Sequence, residues 1–408
     1  MRYSLLFFLV LLLIGCSDDD TVSNRRIFSM DYNADSIDPV TGVWIVLRDD
    51  ETGELIEARE LVNGLNSFES TKRIKSGKLT VTHFIASSGA YMRVYSDVEV
   101  GSEWSNGIDR YQQSDPQSPS LSGEYYLTIT NVPALYAFTI TDKYGFKNHI
   151  DANYENGTVK IFSDFSNGEK QLITIDPQVG KQKYAYVEDL HVGKIVTLDY
   201  SDFKEFDSYL HLPYEGTKEE IAYAAGYTTA KYYNGYDTYR LYYGGTYAPN
   251  DFVKKDMNIG ILKDLPIYRI WLYNGFSEYQ YYGPVPHSVE RKSSEVWVTD
   301  PSFKNFSITG TGRYNYSRIA FSHISEGSGD PSIYVEIYSQ EGDLKFSDPL
   351  TDEMESTYHL KMDDLKYSTM EIMSGTRTLK DAINMTYRSD FDFTKAYESW
   401  RLFVSKDF

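Results

Sequence analysis

Along most of the chain apolar residues recur at every second position, in runs too short for helices. Val43, Ile45 and Leu47 alternate with Trp44, Val46 and Arg48, and Tyr125, Leu127 and Ile129 alternate with Tyr126, Thr128 and Thr130. Ile333, Val335 and Ile337 alternate with Tyr334, Glu336 and Tyr338, and Trp400, Leu402 and Val404 repeat the pattern near the end. A period of two sends successive side chains to opposite faces of a strand, so the pattern predicts β-strands with one buried face. The runs are rich in β-branched and aromatic residues, which suit a pleated, half-buried surface. One stretch, 217–225 with Glu219 and Glu220, reads as a turn or two of helix. Asn-Gly occurs six times, at 63, 106, 156, 167, 234 and 274. Both residues tolerate positive φ, which tight hairpin turns demand. Asn156-Gly157 and Asn167-Gly168 bracket 158–162 as in a meander, so the sheets are expected to be antiparallel.

The first residues follow another pattern. Arg2 precedes an apolar run over 5–14, then Gly15 and Cys16. Ten apolar residues fall short of the ~20 that a spanning helix needs, and a short cationic start before such a run is the layout of a secretory signal. Leu13-Ile14-Gly15-Cys16 resembles a bacterial lipobox. The resemblance implies cleavage before Cys16, the one cysteine of the chain, and acylation of that residue. Several acyl chains anchor a protein stably to a bilayer where one holds it only marginally. Ser17, Asp18, Asp19 and Asp20 follow directly and resemble the export signal of Bacteroidota lipoproteins that reach the outer face of the outer membrane. Read only as charges, they are a solvated acidic tether.

The pattern therefore predicts an all-β chain of tandem antiparallel β-sandwich (Ig-like) modules, and the lipobox resemblance puts a lipoprotein signal peptide before them. On that resemblance, residues 1–15 are expected to be the signal and 16–25 the lipidated Cys and tether. Modules are expected at 26–105, 123–212, 213–299 (the Tyr-rich one) and 300–408, with a Pro- and Ser-rich linker at 106–122. Strand-and-turn segments starting near 39, 133, 266 and 331 resemble one another weakly, at spacings too unequal for a solenoid or propeller. Val43-Trp44-Ile45-Val46-Leu47-Arg48-Asp49-Asp50-Glu51-Thr52-Gly53, followed by Phe68-Glu69-Ser70 and Gly77-Lys78-Leu79-Thr80-Val81, resembles a transthyretin-like or carboxypeptidase-regulatory-like sandwich. Fimbrial anchor lipoproteins use such modules too, which keeps a structural or adhesive fibre-anchor subunit as the alternative.

Composition narrows the chemistry. The 408 residues carry 40 Lys and Arg against 59 Asp and Glu, a net charge of −19, with 37 Tyr. That balance speaks against nucleic acid, whose backbone calls for clustered Lys and Arg, and one Cys speaks against a disulfide framework. The seven histidines show no metal-pair spacing; His83, in phase with Leu79 and Val81, and His323, with Ile319 and Phe321, read as half-buried strand residues. Acidic pairs such as Asp49-Asp50, Asp352-Glu353 and Asp363-Asp364 read as turns or solvated edges. No nucleophile elbow, phosphate loop or dinucleotide fingerprint occurs. No metal or cofactor is expected, and a non-catalytic protein is the reading, with a glycoside hydrolase the less favoured one.

The most unusual local feature is a belt of nine tyrosines between 223 and 247, with Tyr268, Trp271, Tyr273, Tyr279, Tyr281 and Tyr282 beyond it. Tyr232, Tyr233, Tyr236, Tyr239, Tyr242, Tyr243 and Trp271 are the candidate ligand-binding residues. Sugar rings stack on such faces through their C–H surfaces. Tyrosine also packs cross-strand in sheets and is enriched at protein interfaces. The expected partners are thus the bilayer through Cys16 and a polysaccharide or surface protein.

Overall fold

The computed structural model describes residues 25–36, 42–106, 122–142, 150–165, 170–188, 193–213, 220–228, 238–244, 253–254, 257–275, 277–290, 295–311, 313–324, 331–340, 348–387 and 397–404. The signal, Cys16, the acidic tether, Tyr232, Tyr233, Tyr236 and most of the 106–122 linker lie outside them. The described chain is all-β, built of sheets stacked through apolar faces.

One sheet of twelve strands runs through most of the molecule. Its spatial order is Thr238–Tyr243, Ile221–Tyr227, Ile267–Tyr273, Ser277–Gly283, Tyr397–Val404, Lys366–Gly375, Tyr316–His323, Ser332–Gln340, Gly89–Glu99, Lys78–Ala86, Gly42–Asp49 and Leu55–Glu60. Every pairing in it is antiparallel except Ser332–Gln340 with Gly89–Glu99, which run parallel from Ser332↔Gly89 to Tyr338↔Tyr95. Elsewhere in the described residues, parallel pairs join Arg25–Tyr32 to Ser102–Ser105 and Ile195–Asp199 to Ser122–Thr130. The expectation of antiparallel sheets thus holds for the hairpins. The parallel pairs join strands that are distant in sequence, where no tight turn sets the direction.

Turns fall where the sequence puts them. Asn156 (φ 50°) and Gly157 (φ 75°) are both left-handed, as a two-residue turn between Ile150–Glu155 and Thr158–Phe165 requires. The acidic run at 49–51 folds into a turn in which Asp49 Oδ1 accepts from the Glu51 and Thr52 amides. The stretch read as helical differs: Ile221–Tyr227 is a strand paired on both edges. Its small residues allow close packing, since a Cβ at Gly226 would collide with the Leu265 side chain. Two short α-helices among the described residues escape the period-two reading. Asp352–Tyr358 is capped by the Thr351 hydroxyl, which accepts from the Met354 amide, and Leu379–Tyr387 buries Leu379, Ala382, Ile383 and Tyr387.

Four apolar cores hold the described layers together. Residues 122–205 form a sandwich of two four-stranded sheets around Leu127, Ile129, Ile140, Ile161, Ile173 and Ile175. One face of the twelve-stranded sheet packs on that sandwich and on the Ser208–His211/Asn258–Ile261 pair through Ala224, Leu241, Tyr268, Ile270, Leu272 and Tyr279. Further along, the same face is covered by the Glu295–Asp300/Ser307–Thr311 hairpin and the 352–358 helix. On the opposite face, Val43, Ile45, Val81 and Tyr95 pack beneath the sheet of Gly64–Ser70, Arg25–Tyr32 and Ser102–Ser105 and the 379–387 helix. The edge strand Thr238–Tyr243 is capped by side chains: Thr139 and Thr174 hydroxyls donate to the Arg240 and Leu241 carbonyls, and Thr141 accepts from the Arg240 amide. These bonds serve backbone groups that no neighbouring strand meets among the described residues.

Candidate functional site

Strand parity divides the tyrosine belt in two. Tyr268, Ile270 and Leu272 point into the core, so Arg269, Trp271 and Tyr273 point the other way. The next strand repeats this, with Tyr279 and Tyr281 inward and Glu278, Gln280 and Tyr282 outward. Tyr223 lies opposite both Trp271 and Tyr243. Of the sequence candidates, Tyr239 and Tyr242 are buried, Tyr242 at 1% exposure, whereas Tyr243 is 46% exposed and Trp271 is half-buried. Burial raises the buried phenols Tyr268 and Tyr279, and it pushes Tyr281 up to about 12, helped by Glu398. They are neutral packing groups, and the belt is in part the cross-strand tyrosine packing that its composition allows.

The outward set forms a half-exposed face of aromatic rings and guanidinium groups. Trp271 and Tyr273 lie nearly parallel, 13° apart with centroids at 6.1 Å, and Tyr273 meets Phe403 edge-on at 6.3 Å. The Arg240 guanidinium lies 5.3 Å from the Tyr223 ring and 5.1 Å from Tyr243. Arg269 sits 5.8 Å from Tyr223 and 5.7 Å from Tyr282. Cations over ring faces hold the rings in place and keep one polar edge toward water. The Trp271 indole N–H donates to Glu278 Oε1 at 2.7 Å, and Gln280 donates to the same oxygen. Arg401 binds the other oxygen of Glu278 at 2.9 Å. A partly exposed aromatic surface with fixed donors and acceptors can stack a sugar ring or an aromatic side chain and bond its polar rim.

Glu278 also begins a row of alternating charges along this face. Arg401 lies 3.4 Å from Glu371, Arg318 binds Glu371 at 2.7 Å and Glu336 through two nitrogens, and Arg93 reaches Glu336 at 3.2 Å. Tyr91 and Tyr338 hydroxyls donate to Glu336 Oε2 at 2.5 and 3.1 Å. Burial alone would raise Glu336, but the Tyr91 hydroxyl and the Arg318 and Arg93 guanidiniums together hold it below the usual carboxylate range. The row runs from the half-buried aromatic face toward the apolar core beneath the three-stranded sheet. Beyond it, His83 is buried with Nδ1 2.9 Å from the Tyr387 hydroxyl. Burial, with the nearby Arg93 charge, drives its pKa down to about 3. Among the described residues no group of three or more His, Cys, Asp or Glu side chains is arranged to hold a metal ion.

Choosing site residues by tyrosine density alone overlooks Arg240, Arg269, Glu278 and Gln280. The signal that finds them is parity: Arg269 is in phase with Trp271 and Tyr273, and Glu278 with Gln280 and Tyr282.

No family model matches the chain, and no curated protein matches it. Among solved structures, an adhesin described as Ca2+-stabilized, which helps an Antarctic bacterium reach out and bind ice, aligns over 94% of this chain and 100% of its own, at 8% identity and a TM-score of 0.13. A likeness that weak carries no argument about this chain.

Proposed function

We propose that this chain is a non-catalytic, surface-exposed outer-membrane lipoprotein that binds a glycan on the aromatic face of strands Ile221–Tyr227, Thr238–Tyr243, Ile267–Tyr273 and Ser277–Gly283. The observation that carries the reading is the sorting of the belt by strand parity. One set of tyrosines fills the core, while Tyr223, Tyr243, Trp271, Tyr273 and Tyr282 stay partly open beside Arg240, Arg269 and Gln280. Large aromatic side chains left on a sheet face that the core does not use are the kind of surface that marks a binding site. Acylation at Cys16 would hold the protein at the membrane, and Ser17, Asp18, Asp19 and Asp20 would direct it outward. A fibre anchor is the second reading, favoured by one observation: among the described residues strand Leu55–Glu60 is the outermost of its sheet, with one strand neighbour, and could receive a strand from a partner.

The test is a broad glycan array probed with the chain beginning at Asn24, beside a variant carrying Tyr223→Ala, Trp271→Ala, Tyr273→Ala and Tyr282→Ala. The expected result is binding to a defined polysaccharide that the variant loses while its thermal transition persists. An array silent for both chains would overturn the glycan reading and leave the edge strand as the surface to test. Cys16→Ser should release the full chain from the membrane fraction, and retention there would overturn the lipid anchor.

A further inference from the structure

The sandwich of residues 122–205 touches the segment leading into Asn258–Ile261 through one sealed pair of opposite charges. Asp176 is the last residue but one of strand Gln171–Pro177, at a bulge, and Lys254 lies 78 residues further along the chain. Lys254 Nζ donates to Asp176 Oδ1 and, at 2.6 Å, to the Pro177 carbonyl. Both side chains are almost fully enclosed, at 3% and 2% exposure. The ion pairs of the Glu278-to-Arg93 row each keep a more exposed guanidinium. The Tyr136 ring lies 5.4 Å from Nζ, and Asp176 Oδ2 is buried with no hydrogen-bond partner.

An ion pair in such a place is an unfavourable end state. Two charges lose their hydration, and one carboxylate oxygen receives nothing in return. Burial pushes Asp176 up to about 6 against the pull of Lys254, and burial pushes Lys254 down against the pull of Asp176. Both directions favour the neutral amine and neutral acid, the reactive forms for amide formation. In water, hydration of the separated ions opposes that condensation; here the hydration is gone and the two groups are already in contact.

We propose that Lys254 and Asp176 are joined in the mature protein by an isopeptide bond between Nζ and Cγ. One proton passes from the ammonium to the carboxylate. The nitrogen lone pair then attacks Cγ, and the Cγ–Nζ bond forms as a Cγ–O bond breaks. The hydroxyl leaves with its electron pair, takes a second proton from nitrogen and departs as water, while the third proton stays as the amide hydrogen. Atoms and charge balance without an oxidant or co-reactant. The bond removes the buried charges and the unpartnered carboxylate oxygen together. It also closes a covalent loop between the sandwich and the part of the chain that bears the aromatic face, whatever that face binds.

The test is tandem mass spectrometry of a tryptic digest of the full chain. The expected product is one branched peptide in which residues 171–181 are joined to residues 241–255, lighter by one water than the two parts, with cleavage blocked after Lys254. Lys254→Arg, which keeps the positive charge, should return residues 171–181 as a linear peptide. Recovery of the wild-type segments only as linear peptides, with Asp176 and Lys254 intact, would overturn the proposal.

Discussion

His83 and Glu336 sit on one face of the large sheet, and their environments push their proton affinities away from those of free side chains. His83 is held neutral with a pKa near 3, while an unfolded histidine titrates near 6.5. Between those values the unfolded chain binds more protons, so the contribution of His83 is complete above pH 6.5 and is lost as pH falls below it. At about 1.4 kcal/mol per pH unit, roughly 2 kcal/mol is gone by pH 5. Urea unfolding at pH 7.5 and 5 should show that loss in the wild type and a smaller one in His83→Gln; equal losses would contradict it. Glu336 carries the opposite risk. Glu336→Gln leaves Arg318 and Arg93 without their shared carboxylate in a low-dielectric layer, and a loss of about 3–5 kcal/mol is expected in the same assay. A change below about 1 kcal/mol would mean that water reaches the row. The face that carries His83 was legible in the sequence from its phase with Leu79 and Val81, but the ring read as half-buried is buried. Glu336 was not, because its partners Arg318 and Arg93 come from other strands, Arg93 from 243 residues away.

At the scale of single elements the period of two places many of the strands and fails at the helices. The strands around Val43, Leu127, Val335 and Trp400 all stand where alternation puts them, and Asn156-Gly157 turns as its φ tolerance allows. The stretch 217–225 misled because Glu219 and Glu220 suit the opening of a helix, while pairing of Ile221–Tyr227 on both edges decides the outcome. The two helices were missed because each is short and buries only a few apolar positions. Parity within Ile267–Tyr273 also gives a direct contrast. Tyr268→Ala removes a core ring whose hydroxyl donates to the Leu262 carbonyl and accepts from its amide, and about 3–5 kcal/mol of stability should go with it. Tyr273→Ala, on the half-open face, should cost less than about 1.5 kcal/mol. Thermal unfolding of the two variants checks the pair, and similar losses would place both rings in the core.

Across the whole molecule, the sheet joins early and late parts of the described chain, from Gly42–Asp49 to Tyr397–Val404. Its seam is the parallel pair Ser332–Gln340 with Gly89–Glu99, braced by Tyr91, Arg93 and Glu336. No local pattern announces a pairing between strands so far apart, which is why the sequence speaks of modules and is silent about the sheet that runs through them. Strands bound this way should open together. Amide exchange should therefore show 89–99 and 332–340 losing protection at the same urea concentration, and separate losses would contradict a shared unit. The candidate site was half legible for a related reason: tyrosine density marks the region, and only the pairing of strands tells inward rings from outward ones. The most direct measurement is an equilibrium titration of the best glycan from the array into wild-type chain and into Trp271→Ala/Tyr273→Ala. An affinity about tenfold or more weaker in the variant, at a nearly unchanged thermal midpoint, is the expected result. Equal affinity would contradict the assignment of the aromatic face as the binding surface.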